Sequence, residues 1–289
     1  MVIERKPVSH SKTVLITGGT SGIGQQAALR LAQQGMRVIV GGRNPEKANH
    51  TVAYIRQETG NQEVEALLAD LSSLKEVRRM ASEYKTRYGR LDVLVNNAGG
   101  FFSKRYTTVD GFERTFALNF LAPFLLTRSL LDILQDNAPA RIVNVVSMAH
   151  IWGKLDFEDL QNERLYTGWI AYSRSKMALI YFTYALARRM AEKGITVNAV
   201  HPGFIKTNLQ NNDQGFFNSL VRVLELFAVP AAQGAAPLVH LASSAAVEGV
   251  TGAYFSKLKQ KSSHRLSYDD KIAERLWRVS EALCGLSDP

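Results

Sequence analysis

Short runs that are apolar at nearly every position alternate along the chain with longer segments whose apolar residues recur at helical spacing. Residues 13–17 (TVLIT), 37–41 (RVIVG), 64–69, 91–95, 141–146 and 196–201 are runs of the first kind. They are rich in β-branched side chains and lack polar alternation, the pattern of parallel strands covered on both faces. Residues 25–34 read as a helix stopped by Gly35, and residues 172–193 as one long helix stopped by Gly194. Residues 116–126 form a further apolar helical run. Strand–helix alternation over about 200 residues predicts an α/β fold, a doubly wound parallel sheet of about seven strands with helices on both faces. Neither a repeat nor a low-complexity linker interrupts it, so a polar tail over 1–12 and a single domain over 13–289 are expected.

Composition narrows this picture only slightly. The 289 residues are 46% apolar and 21% charged, enough for an ordinary core. The net charge of +9 fits a solvated basic surface or an anionic partner. The densest basic stretch, 257–265, carries no nucleic-acid-reading motif, and no nucleic-acid partner is expected. Cys284 is the single cysteine, so no intrachain disulfide forms, and a reducing, cytoplasmic setting is the simplest expectation. The histidines show no metal-ligand spacing, and no metal is expected. Residues 1–13 lack the apolar core of a signal peptide, and no run is apolar enough to span a bilayer.

The candidate chemistry begins where the first strand runs into Thr17-Gly18-Gly19-Thr20-Ser21-Gly22-Ile23-Gly24, followed by a helix. Glycines permit a tight turn, and backbone N–H groups with a helix N-terminus suit a pyrophosphate. A plain strand-to-helix turn is the alternative. At the end of the second strand, where an NAD site usually places an acid for the ribose hydroxyls, stands Gly42, followed by Arg43, with Asn44 and Lys47 nearby. A guanidinium there either binds a 2′-phosphate through paired hydrogen bonds or is a solvated loop arginine. Tyr172 and Lys176 are i and i+4 on one helix, so they share a face, and an ammonium beside a phenol stabilises the phenolate and lowers its pKa. Ser147 closes the strand over 142–146, where ligands of open α/β sheets bind. Asn119 lies in the apolar run 116–126, where a buried amide needs hydrogen-bond partners whether its role is chemical or structural.

These motifs resemble the short-chain dehydrogenase/reductase family, of classical type. The glycine turn has the spacing T-G-x-x-x-G-I-G, Asn96-Asn97-Ala98-Gly99 follows the fourth strand, then come Tyr172-x-x-x-Lys176 and Pro202-Gly203, in the family's order. The resemblance implies a Rossmann fold binding NADP(H), with contacts from Gly18, Thr20, Ser21, Gly22, Ile23, Gly24, Arg43, Asn44, Asp70, Leu71, Asn97, Ala98, Gly99, Tyr172, Lys176, Pro202, Gly203 and Thr207. Asp70 resembles the family's adenine-contacting aspartate, or caps a helix beginning near Ser72. The resemblance makes Tyr172 the proton donor and acceptor, Ser147 the residue that polarises the substrate oxygen, Lys176 a ligand of the nicotinamide ribose, and Asn119 the holder of a water joining Lys176 to solvent.

The 25 residues between Ser147 and Tyr172, with Met148-Ala149-His150 and 153–160, resemble the retinol dehydrogenase-like branch, as do 252–255 and 273–277. Members of that branch reduce retinal or related lipid aldehydes with NADPH, which implies an apolar carbonyl or alcohol substrate. His150 and Trp152 either line the pocket or serve the loop. The mostly apolar stretch 216–229, within a region 208–230, is expected to be a substrate lid, core packing or a peripheral membrane contact. The helices bearing Asn119 and Tyr172 are apolar nearly all round, which predicts a helix–helix contact in a homodimer or homotetramer. Two other readings are a non-catalytic dinucleotide-binding redox sensor and a sugar-nucleotide epimerase or dehydratase of the extended family. The first has no use for a tuned phenol, and the second usually carries a sizeable C-terminal domain, for which little chain remains after residue 255.

Overall fold

The computed structural model describes residues 11–203 and 230–286. Thr207 and nearly all of the expected lid, 208–229, lie outside the described residues. One eight-stranded sheet carries the fold, in the order β3-β2-β1-β4-β5-β6-β7-β8. Its strands are β1 (Thr13–Ile16), β2 (Arg37–Gly42), β3 (Val64–Leu68), β4 (Val93–Asn96), β5 (Ala140–Val145), β6 (Ile195–His201), β7 (Tyr254–Ser256) and β8 (Lys259–Lys261). The first seven run parallel, and β8 pairs antiparallel with β7 at the edge. The extra strand was not readable in advance, because Lys259-Gln260-Lys261 is polar and wholly exposed.

The strands are apolar throughout because each serves two cores. Leu15, Ile39, Leu94, Ile142 and Val197 enter one cluster. Their neighbours Val14, Ile16, Val38, Val40, Val93, Val95, Val143 and Val200 enter the cluster on the opposite face. Helices α1 (Gly22–Gln33) and α2 (Pro45–Thr59) contribute Ala27, Leu31 and Ile55 to the second cluster, and α3 (Leu74–Tyr88) contributes Val77, Met80 and Tyr84 to the first. The signals that bound these helices are local. Asn44 Oδ1 accepts from Lys47 N at 2.8 Å and Pro45 opens the first turn of α2, while Gly60, at φ +70°, ends it.

Chain order reverses at β1, which has β2 on one side and β4 on the other. The chain leaves β1 towards one face of the sheet and β4 towards the other, leaving a crevice at the switch point. Beyond β4 come α4 (Arg114–Phe116), a π-helical turn over Ala117–Leu121, α5 (Ala122–Ser129) and α6 (Leu131–Asp136). After β5 come a 3₁₀ turn over Met148–Trp152 and α7 (Gly168–Arg189), which Thr167 caps through Ile170 N. Helix α7 therefore starts a turn before Tyr172. Among the described residues the remaining α-helices are α8 (Ala231–Ser243) and α9 (Asp270–Leu283).

Helix α9 changes the reading of the all-round apolar helices. Trp277 packs its ring 5.3 Å from Phe124 of α5 and 5.8 Å from Phe182 of α7, centroid to centroid. The Arg189 guanidinium lies 4.0 Å from the indole centroid and bonds Glu274 at 2.6 Å. Arg128 reaches the same ring at 5.0 Å and bonds Glu281 at 2.6 Å. The apolar surplus on α5 and α7 is thus covered by the chain's own C-terminal helix, and it no longer argues for a second copy on that face. Among the described residues, no helix is long and apolar enough to cross a membrane. Replacing Trp277 with Ala should lower unfolding stability by about 3–5 kcal/mol, read as a drop in the urea midpoint, because a 5% exposed indole would leave a cavity between three helices.

Candidate active site

The glycine turn is held from beneath by the segment after β4. Thr17 Oγ1 accepts from the backbone N–H groups of Asn97 and Ala98, each at 3.0 Å. Asn97 Nδ2 donates to Thr17 O at 2.8 Å and to Gly18 O at 3.1 Å. This bracket draws the turn so close that a Cβ on Gly18, at φ +63°, would stand 2.9 Å from Ala98 Cα. A Cβ on Gly24 would meet Gly18 O at 2.4 Å. Gly22, at φ +57°, faces open space instead, and Ser21 at the start of α1 makes no side-chain cap. Open N–H groups, a left-handed glycine and a first turn without acidic residues form a cradle that fits a dinucleotide pyrophosphate. Thr20 leans on Gly42, and Ile23 packs onto the core, so neither side chain crowds it.

At the end of β2, a Cβ on Gly42 would lie 2.5 Å from Thr20 Cγ2. No carboxylate side chain fits there while Thr20 keeps its place. Arg43 is exposed, and Asn44 spends its carbonyl oxygen on capping α2. Asp70 is exposed and turns on itself, accepting from Ser72 N at 3.0 Å and Ser72 Oγ at 2.8 Å. Partial burial pushes its carboxyl up, but the Ser72 bonds and the charges of Arg43 and Arg114 outweigh this and hold it below the usual range. The capping alternative for Asp70 does not hold. Helix α3 begins at Leu74, and its first N–H donates to Asp110 Oδ2 at 2.8 Å. Leu71 is 9% exposed, its side chain in the core beside Asp70.

Three elements bring the expected catalytic side chains together. Asn119 is fully buried in the π-helical turn, a deformation frequent at functional sites. Its Oδ1 accepts from Gly100 N at 2.8 Å, and its Nδ2 donates to Gly100 O at 2.9 Å and Ser175 Oγ at 3.1 Å. A Cβ on Gly99 would stand 3.1 Å from Asn119 Oδ1 and 3.4 Å from Lys176 Nζ, so a glycine there leaves both polar groups room. Lys176 is 4% exposed, and its Nζ donates to Val145 O at 3.0 Å, at the end of β5. Burial pushes its ammonium down to about 8.

Tyr172 is half-buried, with its ring edge-on to Phe101 at 5.9 Å. Burial pushes its phenol up, and a hydrogen bond with the Ser147 side chain partly opposes that. The net shift is upward, the opposite of what the helical spacing suggested, because burial dominates. The Lys176 Nζ stands 5.7 Å from the Tyr172 ring centroid and turns towards the Val145 carbonyl. Ser147 precedes the 3₁₀ turn and accepts from Ala149 N at 3.2 Å.

His150 is buried within the fold, whereas Trp152 is exposed and packs 5.3 Å from Trp169. Pro202 and Gly203 follow β6, with Gly203 at φ +103°. Three supporting roles escaped the sequence reading, two of them played by residues of the quoted motifs. Thr17 anchors the glycine turn. Asn96 Nδ2 donates to Thr127 Oγ1 at 3.0 Å and Asn144 Oδ1 at 2.8 Å, tying β4 to α5 and β5. Fully buried Glu113 accepts from Thr115 N at 2.7 Å and Phe116 N at 2.8 Å, capping the helix that leads to Asn119. A carboxylate three residues before an apolar helical run was the available signal for this last one.

Comparison with known proteins points one way. Residues 12–218 match the short chain dehydrogenase family. Human retinol dehydrogenase 13 is 41% identical over 98% of this chain and 88% of its own length. A protein of known structure from Mycobacterium paratuberculosis superposes with a TM-score of 0.77 at 31% identity, covering 96% of this chain and 95% of that one. A variant of actinorhodin polyketide ketoreductase, solved with NADPH, gives a TM-score of 0.67 at 27% identity over 85% of this chain and 95% of its own.

The buried histidine at the end of β6 gives this region a pH signature. Burial, with the charges of His150 and Lys257, pushes His201 down to about 4. An unfolded histidine titrates near 6.5, so between these values the unfolded chain binds the extra proton. This contribution to stability is complete above about pH 6.5 and is lost as the pH falls towards 4, at about 1.4 kcal/mol per unit. Urea unfolding of the native chain and of His201→Gln at pH 7 and pH 4.5 should show a shallower acid loss in the variant; equal losses would remove His201 from the account.

Proposed function

Since the chain belongs to the short-chain dehydrogenase family, in its retinol dehydrogenase-like branch, we propose that it is an NADP(H)-dependent carbonyl reductase or alcohol dehydrogenase for an apolar substrate. The observation that carries this reading is the meeting of Tyr172, Ser147 and Lys176 beside the braced glycine turn. Amides of the turn over 18–24 would hold the pyrophosphate, with Asp70 and Leu71 on the adenine side. Ala98, Gly99 and Lys176 would hold the nicotinamide half.

The nicotinamide, when bound, supplies or accepts the hydride. The proton is left to the protein. Tyr172 donates it to the substrate oxygen in reduction and accepts it in oxidation, while the Ser147 hydroxyl hydrogen-bonds the same oxygen. Burial pushes the Tyr172 phenol up, so releasing its proton to the substrate calls for a compensating positive charge. Lys176, at about 8, still carries its charge in most molecules at neutral pH and favours the phenolate once the proton has left. Asn119, locked to Gly100 and Ser175, keeps the floor beneath Lys176 polar.

Two features support the finer assignments. The closed position at Gly42 leaves no acid for the ribose hydroxyls, and Arg43 follows it at the surface, where a 2′-phosphate is met by charge-assisted hydrogen bonds. Met148, Ile151 and Trp152 are exposed on the turn directly after Ser147, an apolar surround suited to an apolar carbonyl or alcohol.

Tyr172→Phe should cut turnover by about 100- to 10,000-fold while leaving NADPH binding, followed by fluorescence titration, near the native value. Retained turnover would sink the assignment. Arg43→Ala should weaken NADPH binding by about 1.5–3 kcal/mol, on the order of ten- to a hundred-fold, and leave NADH binding unchanged. A native preference for NADH, in a panel of aldehydes, ketones and alcohols assayed with both cofactors, would refute the role given to Arg43.

A further inference from the structure

The main chain of Ser147 is met by a side chain that the roles above leave unassigned. His150, 2% exposed, sits three residues on, in the 3₁₀ turn. Its Nδ1 lies 2.8 Å from Ser147 O, and its Nε2 lies 3.1 Å from the backbone N of His264. A backbone N–H only donates, so Nε2 is the acceptor. The proton therefore belongs on Nδ1, which donates to the Ser147 carbonyl. Burial pushes His150 down, with His264 adding to this and the Ser147 carbonyl opposing it, so the imidazole is neutral, as this arrangement requires. The ring also packs 5.1 Å from Tyr254 on β7.

Two further contacts complete the mount. Ala149 N donates to Ser147 Oγ, fixing the hydroxyl while His150 fixes the main chain of the same residue. At the far end of the turn, a Cβ on Gly153 would stand 2.2 Å from Ser173 O, so the turn lies flat against α7 one residue from Tyr172. The Ser147 hydroxyl and the Tyr172 phenol are thus set against each other through the turn, and the turn is tied to the C-terminal loop through one imidazole.

We propose that His150 is a positioning residue: bridging the Ser147 carbonyl and the His264 N–H, it holds the Ser147 hydroxyl in register with Tyr172. This rests on the reading of Ser147 as the group that hydrogen-bonds the substrate oxygen. Buried at 2% exposure and with both ring nitrogens engaged by the main chain, His150 is assigned no reacting role. A displacement of about 1 Å at a reacting group costs up to about a hundred-fold in rate, so the bridge acts on turnover and not on cofactor affinity.

Asn and Gln separate the two halves of the bridge. The Asn amide nitrogen takes the place of Nδ1 and keeps the donor to Ser147 O; the Gln amide oxygen takes the place of Nε2 and keeps only the acceptor for His264. His150→Gln, His150→Asn, Ser147→Ala and the Ser147→Ala/His150→Gln pair are compared using NADPH and the aldehyde or ketone that the native chain reduces fastest. His150→Gln should lower kcat by about 10- to 100-fold with the KM for NADPH unchanged. His150→Asn should lose less, and the double variant should be no slower than Ser147→Ala, since residues acting through one group are not additive. Full kcat in His150→Gln, or a double variant slowed by the product of the two single effects, would overturn the proposal. If His150→Gln does not fold, His150→Asn decides: a kcat as low as that of Ser147→Ala overturns it. If Ser147→Ala keeps full turnover, the reading of Ser147 fails first and the proposal falls with it; if only the His150 effects are missing, that reading stands.

Discussion

A buried ammonium sets the terms for this fold. Among the described residues Lys176 forms no ion pair; its Nζ is held by the Val145 carbonyl at the end of a central strand. An amine in that setting costs stability, and its pKa of about 8 records the cost. The surroundings are arranged around it. Gly99 leaves it space, Asn119 offers a polar floor, and α7 runs close enough to β5 for the side chain to reach a carbonyl. Hydrophobic packing would be satisfied by almost any apolar residue at this position; a buried lysine there marks a candidate functional site.

The crevice itself follows from topology. Because β2 and β4 flank β1 on opposite sides, the chain leaves β1 and β4 towards opposite faces of the sheet, and the turn after β1 and the segment after β4 face one another. Thr17 and Asn97 then lock these two segments together through four hydrogen bonds. The glycines of the turn are the counterpart of that lock: a backbone drawn so close admits no Cβ at 18 or 24. Sequence spacing, strand order and side-chain hydrogen bonding all demand the same local shape, and agreement across levels gives a sequence a single structure.

Much of this was legible from residue order alone. Six of the seven parallel strands lie within a few residues of their apolar runs, because strands buried on both faces leave an unmistakable signature. The grouping of Tyr172 with Lys176 followed from helical spacing, and that of Ser147 from its place at a strand end. What stayed hidden depends on partners far away in the chain. The first N–H of α3 takes its cap from Asp110, 36 residues on. Nothing local distinguishes an apolar helix face awaiting another molecule from one awaiting Trp277. The direction of the Tyr172 shift was also misjudged, since spacing gives proximity to a charge but not the depth of burial that outweighs it.

The last strand has a consequence for how the molecule meets its neighbours. β8 is the outermost rung of its side of the sheet, so its outward N–H and C=O groups are open to pairing with any stray extended chain. It is only three residues long, runs against the direction of its neighbour, and carries a lysine at each end. An incoming strand would have to desolvate two ammonium groups to gain a handful of backbone bonds. On this side of the sheet the ladder therefore ends by charge as well as by length, which disfavours the addition of a further strand.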